Sequence, residues 1–309
     1  MASAYTYQLH NVQRTWLLIF LFTGLTGFVF YVFGLYLGNG WFGLLGIVIS
    51  IVQGFIAYYS GDKIALATAR AEEVSAEQAP QIHMLVENLS KVAQIPKPKI
   101  FISPDRAANA FATGRDPEHG KICLNQGLLK LLDKNELEGV IAHELSHIKN
   151  RDILVMTVTM VMASVISILA DLGIRTRFWG FRDDDSQSKS PIIAVMYVAT
   201  LLLAPLLSLL IQFGISRRRE YLADATAVVM TRYPAGLKQA LTKLYNSPVP
   251  TSNYHTSMNH FYIAPVKKSF GEKINGLFST HPSVQDRIAN LDGMAGVREI
   301  PEASEVPST

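Results

Sequence analysis

The sequence predicts a mainly α-helical membrane protein, with about four transmembrane helices carrying a water-exposed α+β domain that holds a small sheet. Three observations predict it. Residues 15–37, 41–59, 153–170 and 191–215 contain no Asp, Glu, Lys or Arg, although the 309-residue chain has 28 Lys or Arg and 25 Asp or Glu. Outside those windows charge stands at the density of an ordinary soluble domain. Between the second and third windows, three short strand patterns stand between two helical ones.

Composition narrows the class further. A chain 49% hydrophobic with its charge so segregated is neither a wholly soluble globule nor a disordered chain. The net charge of +3 is small and dispersed, which gives no footprint for nucleic acid. The single cysteine, Cys123, excludes an internal disulfide framework and suits a reducing compartment.

Residues 1–60 read as an N-terminal pair of transmembrane helices. Thr15–Leu37 and Trp41–Tyr59 each approach or exceed the roughly 20 residues that cross a bilayer as helix. Gly38, Asn39 and Gly40 between them are a turn signal. Glycines inside both windows would weaken soluble helices but let helices in lipid pack closely. The first apolar stretch is longer than a secretory signal core, so it reads as a retained span.

Residues 61–152 form the first part of the water-exposed domain. Ile82, Leu85, Val86, Leu89 and Val92 give Pro80–Ala93 the spacing of an amphipathic helix, which must end before Pro96. Lys99–Ser103, Ala110–Thr113 and Lys121–Leu124 read as short strands. Asp133 followed by Glu136 is a capping box, opening a helix that should run through Asn150. Residues 153–215 are a second membrane pair with a polar loop at 171–190, residues 216–295 complete the domain, and 296–309 read as a disordered tail.

The chemistry sits in His143-Glu144-Leu145-Ser146-His147. On a helix, positions i and i+4 lie about 40° apart in projection and one turn apart in height, so both imidazoles reach one ion. Leu137, Val140, Ile141, Leu145 and Ile148 make the helix a buried one. Two buried imidazoles beside a carboxylate need partners, and a metal supplies them. A catalytic zinc takes three protein ligands and keeps one position open. The best third candidate is Glu220, just past the fourth apolar window; if windows three and four form a hairpin, it returns to the membrane face of His147. Asp224, one turn on, is placed to orient a ligand histidine. Two histidines and a carboxylate suit zinc best, with cobalt or manganese as substitutes.

These residues resemble the HtpX branch of the HtpX/Ste24 integral-membrane zinc metalloproteases. The likeness lies in four blocks in order: Asn109-Ala110-Phe111-Ala112-Thr113-Gly114; His143-Glu144 and His147 with Asn150 and Asp152; Ser216 to Asp224 around Arg219-Glu220-Tyr221; and Thr280-His281-Pro282 with Arg287-Ile288. It extends over roughly residues 12–295. The resemblance implies a gluzincin-type domain with one zinc per chain held by His143, His147 and Glu220, and Glu144 as general base. It implies substrate contacts at Asn109, Ala110, Phe111 and Ala112, and places His281 and Arg287 near the active centre, where either would stabilise an oxyanion. It further implies an endopeptidase that hydrolyses misfolded or damaged membrane proteins in stress-linked quality control. The chain departs from the family between Pro248 and Phe270, where His255 and His260 read as an exposed loop; His10, His83 and His119 read as ordinary surface residues.

Eight basic residues flank the spans on the domain side (Arg14, Lys63, Arg70, Lys149, Arg151, Arg217, Arg218, Arg219) and four lie in the 171–190 loop. That bias turns the domain to the cytoplasm, at a bacterial inner membrane if the resemblance holds. The expected partners are protein or peptide substrates and the lipid bilayer, not nucleic acid; a homo-oligomer is neither required nor excluded. Two alternatives stand beside this reading. A Ste24-like prenyl-peptide protease shares the zinc site but resembles a larger cage of seven spans. A zinc-binding membrane scaffold without proteolysis would not need Glu144.

Overall fold

A computed structural model describes residues 4–36, 41–162, 217–247, 263 and 283–296. Helices α1 (Ala4–Tyr36) and α2 (Trp41–Thr68) extend the first two apolar windows by several residues at the ends that face the rest of the protein. They pack antiparallel, because Ile19 meets Gly54, Gly27 meets Ile47 and Tyr31 meets Gly43. Their outer surface is apolar: Trp16, Leu17, Phe20, Phe28, Leu44, Val48 and Phe55 are exposed, with Phe20 at 74% and Trp41 at 76%. A patch of that extent is unsuited to water and suited to lipid. Among the described residues one helix, Gly43–Thr68, is long and apolar enough to cross a membrane by length and composition.

Among the described residues the sheet has four strands in the order β1-β2-β4-β3. Strand β1 (Glu72–Glu73) runs antiparallel to β2 (Lys99–Ser103), β2 parallel to β4 (Lys121–Asn125), and β4 antiparallel to β3 (Ala110–Thr113), with Phe111 opposite Cys123. Side chains alternate across this sheet. Ile100, Ala110, Ala112, Ile122 and Leu124 enter one apolar core beneath α3 (Pro80–Ala93) and α5 (Lys134–Lys149). Phe111 and Cys123 turn the other way, into a second core with Leu18, Phe22, Ala57 and Leu66 of α1 and α2. The sheet is thus a plate with the water-exposed domain on one side and the apolar helix pair on the other. Beyond α4 (Gln126–Leu131), Asp133 caps α5: it accepts from Asn135 and Glu136 N–H, and Glu136 accepts from Asp133 N–H at 2.8 Å.

Helix α5 ends at its C-cap residue Asn150; Arg151 adopts φ 57°, and α6 (Asp152–Met162) begins at once. This described part of the third apolar window is buried in protein throughout. Ile153, Val155 and Val158 are fully enclosed by protein, and Thr157 meets Gly61 of α2. The fourth window and the 171–190 loop lie outside the described residues, as do His255, His260 and all of the predicted tail except Gly296, which ends a helix. Among the described residues three more helices follow: α7 (Arg217–Thr231), α8 (Pro234–Asn246) and α9 (Val284–Gly296). Small residues set their distances. A Cβ on Gly139 of α5 would lie 2.6 Å from Leu237 N, and one on Gly236 would lie 2.6 Å from Asn135 O, so α5 and α8 touch backbone to backbone.

Candidate metal centre

The site is built on two buried helices. In α5 the residues from Gly139 to Ile148 are all buried, so His143 and His147 project inward from one face. In α7, Arg219, Glu220, Ala223, Asp224 and Ala227 are buried, and the alanines let this helix approach α5 closely. His143 Nε2 and His147 Nε2 lie 3.2 Å apart, with the rings at 89°. Glu220 closes the triangle, Oε2 at 3.6 Å from His143 Nε2 and Oε1 at 3.8 Å from His147 Nε2.

The donor set fits zinc. Metal–ligand bonds of roughly 2.0–2.1 Å in a tetrahedron place ligand atoms about 3.3 Å apart; the two imidazole nitrogens match that edge, and with one atom taken from each residue the three ligands lie within 4.8 Å of one another. The tautomers agree. His143 Nδ1 lies 2.9 Å from Asp224 Oδ1, and His147 Nδ1 lies 3.1 Å from Asp152 Oδ2. A ring that gives its Nδ1–H to a carboxylate turns a bare Nε2 lone pair to the front. Two such lone pairs and a carboxylate converge in a buried site, an arrangement that a cation satisfies.

Arg287 of α9 ties the rear of the site. Its Nε donates to Asp224 Oδ2 at 2.9 Å and its Nη2 to Oδ1 at 2.6 Å, while Nη1 donates to the carbonyl of Ile263 at 2.8 Å and lies 3.4 Å from Glu220 Oε2. Burial and the charge of Arg287 oppose a proton on His143, but its bonds to Asp224 and Glu220 outweigh them and raise its pKa to about 9. Burial pushes Glu144 above the usual carboxylate value, against the nearby histidines, which pull it down. Burial also opposes the charge on Asp224, yet Arg287 and then His143 hold its pKa below the ordinary value.

Of the residues singled out from the sequence, the structure brings His143, Glu144, His147, Glu220, Asp224 and Arg287 together. Glu144 is buried between the histidines on the same helix. Ala110, Phe111 and Ala112 lie in β3, the last strand of the sheet among the described residues, against which α5 packs. Asn109 is buried, with its Oδ1 accepting from Ala110 N–H at 3.1 Å. Along that edge the carbonyl of Ala110 accepts from Ile263 N–H at 3.4 Å. His281 lies outside the described residues. Arg219 is not a surface charge at the membrane: it is 2% exposed, with Nε 4.0 Å from Asp152 Oδ1. His83 is half-buried and its Nε2 meets Val74 O at 3.0 Å, whereas His119 is exposed beside Asp116. Sequence reasoning gave Asp152 no role, although an acid five residues after His147 is a signal; it gave none to Asn11, which donates to Asp152 at 2.7 Å.

The sequence pattern of peptidase family M48 matches residues 76–295. The chain belongs to peptidase family M48. Relatives agree along nearly its whole length. It is 39% identical to a Protease HtpX homolog of Caldanaerobacter subterraneus subsp. tengcongensis, over 94% of this chain and 97% of the other. The same identity and coverage relate it to a Protease HtpX homolog of Thermoanaerobacter pseudethanolicus. A third, from Dictyoglomus thermophilum, is 40% identical over 91% of each chain. The crystal structure of S. mikatae Ste24p covers 93% of this chain and 67% of its own at 18% identity and a TM-score of 0.49, a likeness too loose to bear on the site. This M48 peptidase is a membrane metalloprotease, and the His143, His147 and Glu220 cluster is a site that can hold its metal.

Proposed function

We propose that the chain is a zinc endopeptidase that spans the membrane, with His143, His147 and Glu220 as ligands and Glu144 as general base. The observation that carries this is the donor triangle, whose two imidazoles each have their other nitrogen tied to a buried carboxylate. When bound, zinc would supply Lewis acidity toward the scissile carbonyl and the attacking water. Glu144 takes the proton of that water and gives it to the leaving nitrogen, and a carboxyl raised by burial accepts a proton more readily near neutrality. An extended substrate adds to the β3 edge along the backbone of Ala112, which by the two-residue period of the ladder lies on the same side as Ala110. Asn109 and Phe111 shape that edge. Pairing through backbone reads few side chains, which suits varied misfolded or damaged membrane proteins and hence quality control. Arg287, with its N–H groups turned to Asp224, Ile263 and Glu220, serves better to hold the ligands than to meet an oxyanion; His281 remains the candidate for that role.

Four spans and a cytoplasmic domain, at a bacterial inner membrane, complete the proposal. The apolar outer surface of α1 and α2 supports the membrane seat. Without buried Arg219, seven basic residues still flank the spans on the domain side against four in the 171–190 loop. Glu144 favours an enzyme over a scaffold. The test is digestion of a denatured membrane protein by detergent-purified enzyme, with chelator, with zinc restored, and with Glu144→Gln. Activity should vanish with chelator and return with zinc. Glu144→Gln should hold zinc and lose roughly 10²-fold or more in rate; full activity in that variant would remove Glu144 as the base.

A further inference from the structure

We propose that Asn11, in the first turns of α1, is a positioning residue of the metal centre, which holds Asp152 so that Asp152 holds His147. This rests on the reading of His147 as a metal ligand. Asn11 is 1% exposed, on the inward side of α1. Its Nδ2 donates to Asp152 Oδ1 at 2.7 Å and to the carbonyl of Asn150 at 3.1 Å. Both partners are acceptors, so the nitrogen side of the amide must face them.

The carboxylate of Asp152 is shared between two directions. Oδ2 meets His147 Nδ1 at 3.1 Å, and Oδ1 meets Asn11. Asp152 is fully buried, so no solvent replaces a lost donor. Arg219 Nε, at 4.0 Å from Oδ1, adds charge but is too distant to fix the plane of the group. The second bond has a separate effect. Asn150 is the C-cap of α5, whose terminal carbonyls lack helical partners, so Asn11 also clamps the end of the helix that carries both histidines. A side chain 141 positions before Asp152 thereby joins the apolar helix pair to the pose of an imidazole.

The experiment uses the full chain in detergent and four variants: Asn11→Leu, Asp152→Asn, the pair combined, and Thr15→Val. Thr15 is buried one turn along α1, with its hydroxyl donating to the carbonyl of Asn11 at 2.9 Å, and it reports general disturbance of that helix. Readouts are zinc affinity by chelator competition, the visible spectrum of the cobalt-loaded protein, and unfolding of the metal-free protein. Asn11→Leu should weaken zinc about ten-fold and move the cobalt bands, and Thr15→Val should do neither. In the Asp152→Asn background, Asn11→Leu should cause no further loss. Unchanged affinity and spectrum in Asn11→Leu, or an equal loss in both backgrounds, would overturn the proposal. Asn11→Ala is read in the same way if the leucine variant does not fold. His147→Ala separates the two claims: if it keeps full zinc affinity, the ligand assignment fails, whereas if it loses zinc while Asn11→Leu keeps it, only the role of Asn11 fails.

Discussion

Nδ1 of His143 lies 2.9 Å from Oδ1 of Asp224, and both side chains are 1% exposed or less. Arg287 takes both oxygens of the same carboxylate. An acid so enclosed would be costly alone. Flanked by a guanidinium and an imidazole N–H it stays ionised, and it fixes the ring of His143 with Nε2 toward Glu220. The rear of the pocket is therefore an ion cluster whose members each need the others.

That dependence gives a pH signature. Asp224 has a depressed pKa in the fold, so its contribution to stability is complete above the ordinary carboxyl value near 4 and is lost as pH falls through the lower, folded value. Arg287→Met leaves a buried charge unpaired and should destabilise the protein by about 3 kcal/mol at neutral pH. Denaturation in detergent should show the gap to wild type narrowing below about pH 4. A gap independent of pH would mean that Arg287 acts through packing alone.

Glu220 is tested by metal retention. Glu220→Ala should lower zinc affinity by more than about 100-fold, beyond what changes behind the ligands produce. Dialysis against a chelator followed by metal analysis measures this. Zinc content equal to wild type would take Glu220 out of the ligand set.

Metal uptake should release protons. In the metal-free protein His143 titrates at about 9, so below that pH a proton must leave before its nitrogen binds. Zinc affinity should fall by about ten-fold per unit as pH drops from 9. Titration in weak buffer at pH 8 should record an acid shift on adding zinc. Affinity flat between pH 7 and 9 would mean that His143 is already neutral in the metal-free site.

Packing beneath the site is testable apart from chemistry. Gly139→Ala forces a Cβ to 2.6 Å from Leu237 N, so α5 and α8 must part, at a cost of about 1–3 kcal/mol. Gly24→Ala on α1 meets nothing within 4 Å and serves as the comparison. Thermal unfolding should drop for the first and not for the second. Equal stability would show that the crossing has slack.

Local signals were legible in the sequence. The period of Pro80–Ala93, the β-branched run at Lys99–Ser103 and the Asp133–Glu136 box each act within a few residues, and each element stands where its pattern placed it. The spacing of His143 and His147 was legible for the same reason. Glu220 was reached by resemblance and by the hairpin idea rather than by local pattern. What was hidden depends on distant chain. Strand β1, two residues long, exists only because β2 offers it partners. The apolar start of α6 reads as lipid-facing, but it is walled by α1, α2 and the sheet. Asn11 looks like a polar residue before a span, and its partners at 150 and 152 leave no trace in the residues beside it.

The tie between Asp224 and Arg287 also carries timing. The chain is made from its N-terminus, so the two histidines and Asp152 exist long before Glu220, Asp224 and Arg287. Until Arg287 has left the ribosome, Asp224 lacks its counter-charge and His143 lacks a fixed ring. A half-made chain therefore lacks both the third ligand and the ion cluster that fixes His143, so the metal site comes together only when synthesis is nearly done.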